Sequence, residues 1–192
     1  MRKRKGSNEM NHYILVRHGQ STANTKTVIA GSTDVELSEL GIAQAKEAGE
    51  ALKHKTIDVC FCSPRTRAKQ TAQEIMKFHN APTIVHNGLA ERNYGEFELM
   101  PYTTMNEHPN GKLFWQYDAE PTYESAETLQ QFLTRTKQFF EEIGKQYVNR
   151  TILIVAHGGT YKAVYYLLNG LPHNNNLIEY HFKNTELFEF HY

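Results

Sequence analysis

Three short clusters hold the residues of this chain best suited to chemistry: Arg17-His18-Gly19, Ser63-Pro64-Arg65-Thr66-Arg67 and His157-Gly158-Gly159. Each follows directly on an apolar run. Singly, a histidine is more often a satisfied polar group than a catalyst, and an arginine is usually solvated; joint placement after three separate runs is what gives the pattern weight. Guanidinium forks match phosphate oxygens in pairs and stay charged at any relevant pH. A neutral imidazole is a competent nucleophile toward phosphorus, and flanking arginines keep it neutral because like charges disfavour imidazolium. The same arginines would stabilise the charge on the equatorial oxygens of a phosphoryl transition state. Glycines at 19 and 158 would let backbone approach a bulky oxyanion, and a helix starting near Gly158 would aim N–H donors at it. The chemistry indicated is the handling of a phosphoryl group.

The elements that must position these clusters alternate between strand and helix. Residues 12–16, 57–62 and 151–156 read as buried parallel strands, 82–85 as a weaker one and 187–192 as a final strand. Ser38 is placed to cap a helix whose inward face is Ile42, Ala45, Ala48 and Leu52. Ser63-Pro64 has the form of an N-cap and first helical position, with Ala68, Thr71, Ala72 and Ile75 facing inward. Leu129, Phe132, Leu133, Thr136, Phe140, Ile143 and Tyr147 form the strongest amphipathic pattern. Gly158-Gly159 opens a further helix that Gly170 and Pro172 close. Residues 99–123 hold two prolines and no sustained period, so an irregular segment is expected. Alternating strands and helices predict an α/β sheet covered on both faces, and such sheets bind ligands at the carboxyl ends of their strands.

Length and composition bound the function classes. A chain of 192 residues and 22.2 kDa, 40% apolar and 22% charged, is expected to fold as one domain over residues 12–192, after a disordered basic tail at 1–11. Met10 stands just before the first strand, so the first nine residues read as outside the folded unit. Lys plus Arg (21) balances Asp plus Glu (21), which argues against nucleic acid or a membrane surface as a partner held by bulk charge. No signal peptide or membrane span is expected. Cys60 and Cys62, two apart on one strand, read as buried free thiols, consistent with a reducing, cytoplasmic setting.

The motifs resemble those of the histidine phosphatase superfamily, the group that includes the cofactor-dependent phosphoglycerate mutases. Five blocks agree in order: Val16-Arg17-His18-Gly19-Gln20-Ser21-Thr22-Ala23-Asn24; Gly31-Ser32-Thr33-Asp34-Val35-Glu36-Leu37-Ser38-Glu39-Leu40-Gly41; Ser63-Pro64-Arg65-Thr66-Arg67-Ala68-Lys69-Gln70-Thr71-Ala72; Leu89-Ala90-Glu91-Arg92-Asn93-Tyr94-Gly95; and Ala156-His157-Gly158-Gly159. The resemblance runs from residue 12 onward. It implies a phosphoglycerate mutase-like three-layer α/β/α sandwich around a mostly parallel, mixed sheet. It implies His18 as the nucleophile that becomes phosphohistidine, with Arg17, Asn24, Arg67, His157 and Gly158 around the phosphate. Glu91 would be the general acid and then the base for water. Arg67 rather than Arg65 matches the family arginine, which directly precedes an alanine; Arg65 is expected at the rim, and Arg92, beside the acid, is a candidate substrate contact with solvated surface as its default. No metal and no cofactor is implied, since arginines supply the positive charge.

Hydrolysis and mutase transfer are both known in this group. The stretch between Glu91 and His157 is shorter than in the mutases, which implies a more open cover and favours water, hence a phosphatase acting on a small phosphorylated molecule. A phosphoglycerate mutase-type phosphotransferase and a catalytically silent phosphate-binding module are the alternatives; the latter would have no use for Glu91. One departure stands out: after Gly95-Glu96-Phe97-Glu98 the family often has glycine, where this chain has Leu99. Tyr102, Phe114, Trp115, Tyr117 and Tyr123 are candidates for a lid or for core packing, and Lys112 for a substrate contact. Neither the substrate's identity nor the oligomeric state is legible. A serine hydrolase would need a G-x-S-x-G elbow, a zinc hydrolase H-E-x-x-H spacing, and a P-loop enzyme its glycine pattern; none occurs despite ten histidines.

Overall fold

The computed structural model of the chain describes residues 10–119 and 125–192. Residues 1–9 of the expected basic tail and Tyr123 of the aromatic segment lie outside the described residues. Strands β1 (His12–Arg17), β2 (Val59–Cys62), β3 (Thr83–Val85), β4 (Thr151–Ala156) and β5 (Leu187–His191) form one sheet in the order β3-β2-β4-β1-β5. The first four run parallel, and β5 pairs antiparallel with β1. The helices are α1 (Thr22–Thr25), α2 (Glu39–Leu52), α3 (Thr66–Met76), α4 (Tyr102–Glu107), α5 (Pro109–Leu113), α6 (Leu129–Gln146) and α7 (Gly158–Asn169).

Alternation along the strands divides the core between two faces. Tyr13, Leu15, Phe61, Ile152 and Ile154 pack against Phe139, Phe140 and Ile143 of α6 and Val164 of α7. Ile14, Val16, Cys60, Cys62, Leu153 and Val155 pack against Ala48 and Leu52 of α2 and Ala68, Ala72 and Ile75 of α3. The result is the expected three-layer α/β/α arrangement. Cys60 and Cys62 are free and buried, with burial pushing both thiols up, Cys62 to about 11. No described helix is long and apolar enough to cross a membrane.

Three expectations are corrected. Ser38 caps α2 through the Gly41 N–H at 3.0 Å, but Ile42 is 38% exposed, and the inward face is Gly41, Ala45, Ala48, Gly49 and Leu52. A Cβ at Gly49 would stand 3.0 Å from the Glu74 carbonyl oxygen, so the contact with α3 selects small residues over apolar ones. Helix α3 starts at Thr66, with Arg65 rather than Ser63 at the N-cap position. The Asp34 carboxylate takes the capping role instead, accepting from the Thr66 N–H at 2.6 Å and its hydroxyl at 2.7 Å. The segment expected to be irregular contains α4 and α5, whose 6 and 5 residues are too few to display a helical period. It joins a third cluster in which Tyr94, Phe97, Phe114 and Trp115 meet Leu129 and Phe132 of α6.

Candidate active site

The register of the sheet assembles the site. Arg17 pairs with Ala156 across β1 and β4, so the next residues, His18 and His157, emerge side by side with ring centroids 5.1 Å apart. β2 lies on the other side of β4 and ends at Cys62; the N–H of the next residue, Ser63, donates to the Val155 carbonyl at 3.0 Å. Three strand ends that are far apart in sequence thus open onto one rim.

His18 is buried, and its Nδ1 lies 2.6 Å from the Gly19 carbonyl oxygen. A carbonyl can only accept, so Nδ1 carries the proton and Nε2 keeps its lone pair. Burial, followed by the charges of Arg67 and Arg17, holds the imidazole well below its usual pKa. His157 is also held well below its usual pKa, by burial and then by Arg67, His18, Arg17 and Arg65. Its Nε2 is 2.7 Å from the Ser63 hydroxyl. That hydroxyl also accepts from the Arg65 N–H at 3.2 Å, which ties the imidazole to the turn that leads into α3. Nδ1 of His157 is buried with no partner among the described residues.

Arg67 is 1% exposed, and its Nη1 and Nη2 donate to the Thr33 carbonyl at 3.0 Å and the Gly31 carbonyl at 2.8 Å. Its Nε is buried without a partner among the described residues. Arg17 is half-buried, donates through Nη1 to the Phe182 carbonyl, and likewise keeps an unpartnered buried Nε. The Glu91 carboxylate accepts from the Arg92 N–H at 2.8 Å and from the Gly159 N–H at 3.2 Å. Asn24 spends Oδ1 on the Ser21 N–H and hydroxyl, both at 3.0 Å, in a capping box, which turns its amide NH2 toward other acceptors.

Arg17, His18, Asn24, Arg67, Glu91, Tyr94 and Tyr102 line one small pocket of about 50 Å³. It shares Arg17, Glu91, Tyr94 and Tyr102 with an adjoining cleft of about 590 Å³, whose wall includes Gly158, Gly159, Trp115, Lys162, His181 and Lys183. His157 is fully buried beside His18 and does not line the pocket, and Gly158 faces the cleft. Among the described residues, no group of three or more His, Cys, Asp or Glu is arranged to hold a metal ion.

Several residues differ from expectation. Gly19 has a reason beyond approach to an oxyanion, because a Cβ there would collide with the Gly41 carbonyl. At Gly158 the atoms nearest to a Cβ would be those of the Arg17 guanidinium, at an ordinary 3.7 Å. Arg92 is fully buried, not solvated: its guanidinium lies over the Phe114 ring at 4.7 Å and the Trp115 ring at 5.4 Å, and donates to the Phe114 and Glu127 carbonyls. Such aromatic burial cannot be read from a cation flanking an acid. Of the aromatic candidates, Tyr102 reaches the pocket and Trp115 the cleft, while Phe114 is core and Tyr117 packs beside Tyr166. Lys112 is exposed and does not line the cleft. Two residues were not anticipated. Ser63 read only as a cap, and Lys162 gave no signal beyond being a lone lysine. Lys162 is pushed down to about 8 by burial and donates to the Leu177, Ile178 and Tyr180 carbonyls.

Comparison with known proteins agrees with this geometry. A protein of Hydrogenobacter thermophilus provisionally named phosphoserine phosphatase 2 is 32% identical over 184 residues, covering 95% of this chain and 90% of its own. A 2,3-bisphosphoglycerate-dependent phosphoglycerate mutase of Methylobacterium sp. is 33% identical over 169 residues, covering 82% of this chain and 80% of its own. Among solved structures, phosphoserine phosphatase from Entamoeba histolytica in complex with 3-phosphoglyceric acid superposes with a TM-score of 0.81 at 28% identity, covering 94% of this chain and 90% of that one. The sequence profile of one family matches residues 13–192, nearly the whole described fold, and the chain belongs to it: the histidine phosphatase superfamily (branch 1).

Proposed function

We propose that this chain is a metal-independent phosphatase that hydrolyses a small phosphate monoester through a phosphohistidine on His18. The observation that carries the reading is the Nδ1 contact of His18 with the Gly19 carbonyl. It commits the Nε2 lone pair to a pocket shared with two guanidinium groups and a carboxylate. Nε2 attacks phosphorus and the ester P–O bond breaks. Glu91, protonated at this step, gives its proton to the leaving alkoxide. Water then attacks the phosphohistidine, Glu91 takes the proton, the P–N bond breaks and inorganic phosphate leaves. Arg17 and Arg67 hold the equatorial oxygens, Asn24 adds an amide donor, and His157 beside His18 and the Gly158 N–H at the start of α7 complete the charge stabilisation.

The cleft supports an organic part that carries its own acidic group. Arg17, Lys162, His181 and Lys183 line it, against Glu91 as its acidic residue. The Entamoeba relative, bound to 3-phosphoglyceric acid, is of this class. Zero net charge and buried free thiols fit a cytoplasmic enzyme without a nucleic-acid or membrane partner. The single folded unit is taken as residues 12–192. Mutase transfer is the second reading, favoured by the Methylobacterium relative.

The test is hydrolysis of an aryl phosphate by wild type and His18→Ala with a chelator present throughout. Chelator-resistant activity that disappears in the variant supports the reading; full activity in His18→Ala overturns the nucleophile. An inactive wild type that instead interconverts phosphoglycerates, given a bisphosphate primer, is a mutase. One that binds phosphate and turns over neither is a silent module.

A further inference from the structure

Arg67 owes its placement to a loop that holds the guanidinium through its main chain: the hydrogen-bond acceptors are the carbonyls of Gly31 and Thr33. Main-chain carbonyls orient a guanidinium only as well as their own backbone is held. Residues 31–34 form a polar loop before α2 and belong to neither a strand nor a helix, so something else must hold them.

That role falls to a carboxylate some 65 positions further along the chain. Glu98 Oε1 accepts from the Ser32 N–H at 2.6 Å, the Ser32 hydroxyl at 2.7 Å and the Tyr94 N–H at 3.1 Å. Its Oε2 accepts from the Thr33 N–H at 2.8 Å and the Thr33 hydroxyl at 2.5 Å. These five bonds occupy the acceptor capacity of both oxygens and use the charge-assisted form, the stronger kind. A second observation points the same way. Gly31 has φ 52°, and a Cβ there would collide with Glu98 Oε1, so the loop is shaped to receive this carboxylate. The backbone around Glu98 is tied to the other end of the same loop: Leu99 N–H donates to Ile29 O at 2.7 Å, and Ile29 N–H to Met100 O at 3.0 Å. Neither oxygen of Glu98 reaches the pocket, so it touches neither phosphate nor the reacting atoms.

We propose that Glu98 is a positioning residue for phosphate recognition, acting through the Ser32-Thr33 loop to hold the Arg67 guanidinium with its Nε toward the pocket. The proposal rests on the phosphatase reading for its consequence in turnover, but not for its geometry. Glu98→Gln keeps the shape while replacing one oxygen with an NH2 that faces N–H donors, so it removes the clamp without emptying the space. Arg67 then samples other rotamers, and phosphate meets a guanidinium that must first be ordered.

Three measurements on the full chain test this: the Kd for inorganic phosphate by calorimetry, kcat and KM on an aryl phosphate, and the Arg67 Nε–H resonance, assigned by its loss in Arg67→Ala. Glu98→Gln is expected to weaken phosphate about tenfold, to lower kcat/KM by a similar factor, and to shift or broaden the Arg67 resonance. In an Arg67→Ala background the same change is expected to cost less than about twofold, because coupled residues are non-additive. An equal loss in both backgrounds would make Glu98 merely structural and overturn the proposal, as would wild-type phosphate affinity with an unmoved Arg67 resonance. A wild type that neither hydrolyses esters nor binds phosphate refutes the phosphatase reading instead. The Arg67 resonance then decides alone: a shift in Glu98→Gln upholds the clamp and an unchanged one overturns it.

Discussion

The Glu91 carboxylate rests against the backbone of Gly159, accepting its N–H at 3.2 Å, and the fit leaves no space for a Cβ, which would collide with Oε1. The first turn of α7 thereby supplies both a donor and a partial positive charge to the acid. Gly159→Ala is expected to displace Glu91 and to act as a mild form of Glu91→Gln. Both variants should lose alkyl phosphate turnover by about a hundredfold or more, the usual worth of a positioned acid. Activated aryl esters, whose leaving groups need no proton, should lose far less. The ratio of kcat/KM on the two esters is the measurement, and equal losses on both would refute the acid role.

Ser63 is expected to matter through His157. Ser63→Ala removes the hydroxyl 2.7 Å from Nε2 and leaves a buried imidazole nitrogen unpaired, at a cost of about 1–3 kcal/mol in stability. It also removes the hydrogen bond that orients the His157 ring beside His18. A drop of about tenfold in kcat should accompany the loss of stability. Urea unfolding and steady-state kinetics on the same preparation separate the two effects. Unchanged kcat would show that Ser63 only packs.

The two buried histidines set a direction for pH dependence. Both have pKa values well below the ordinary 6.5 in the folded protein. Above that value neither the folded nor the unfolded state binds a proton on them, and they contribute no slope. As pH falls below about 6.5 the unfolded chain takes up protons that the folded state refuses. Stability is then lost at up to about 1.4 kcal/mol per pH unit for each histidine, until the folded pKa values are reached. Unfolding free energy measured from pH 7.5 to 5, in wild type and in His18→Ala, should show the slope reduced in the variant. Histidine NMR should find both rings neutral at pH 6. A ring titrating at 6.5 would contradict the burial argument.

Leu99, where the family often has glycine, takes φ 66°, the left-handed region that a branched side chain rarely occupies. The backbone turn survives the departure, and the side chain is 55% exposed, so little packing offsets the strain. Leu99→Gly is expected to raise stability by about 0.5–1 kcal/mol, the relief of left-handed strain less the extra entropy of glycine in the unfolded chain. Leu99→Ala keeps the strain and should show no such gain. A higher urea midpoint at unchanged m is the signature for glycine alone.

Much of the site was legible because its parts lie at strand ends. Buried parallel strands are continuous apolar runs, so 12–16 and 151–156 announced themselves, and Arg17, His18 and His157 followed as the next residues. Helix α6 declared its inward face through Phe132, Phe140 and Ile143 for the same reason. What stayed hidden depends on partners far off in the chain. Ser63 reads locally as a cap, and only the register of β2 on β4 brings it to His157. Arg92 reads as a solvated cation until Phe114 and Trp115 close over it. Glu98 reads as an ordinary acidic residue until the loop at 32–33 folds onto it. The sequence by itself determined the chemistry available here, two imidazoles, two guanidinium groups and an acid, because residue type fixes charge and nucleophilicity. Tertiary structure alone decided what orients His157, what buries Arg92 and what holds Arg67. Those outcomes rest on hydrogen bonds between groups tens of residues apart, and only the packed sheet brings them within reach.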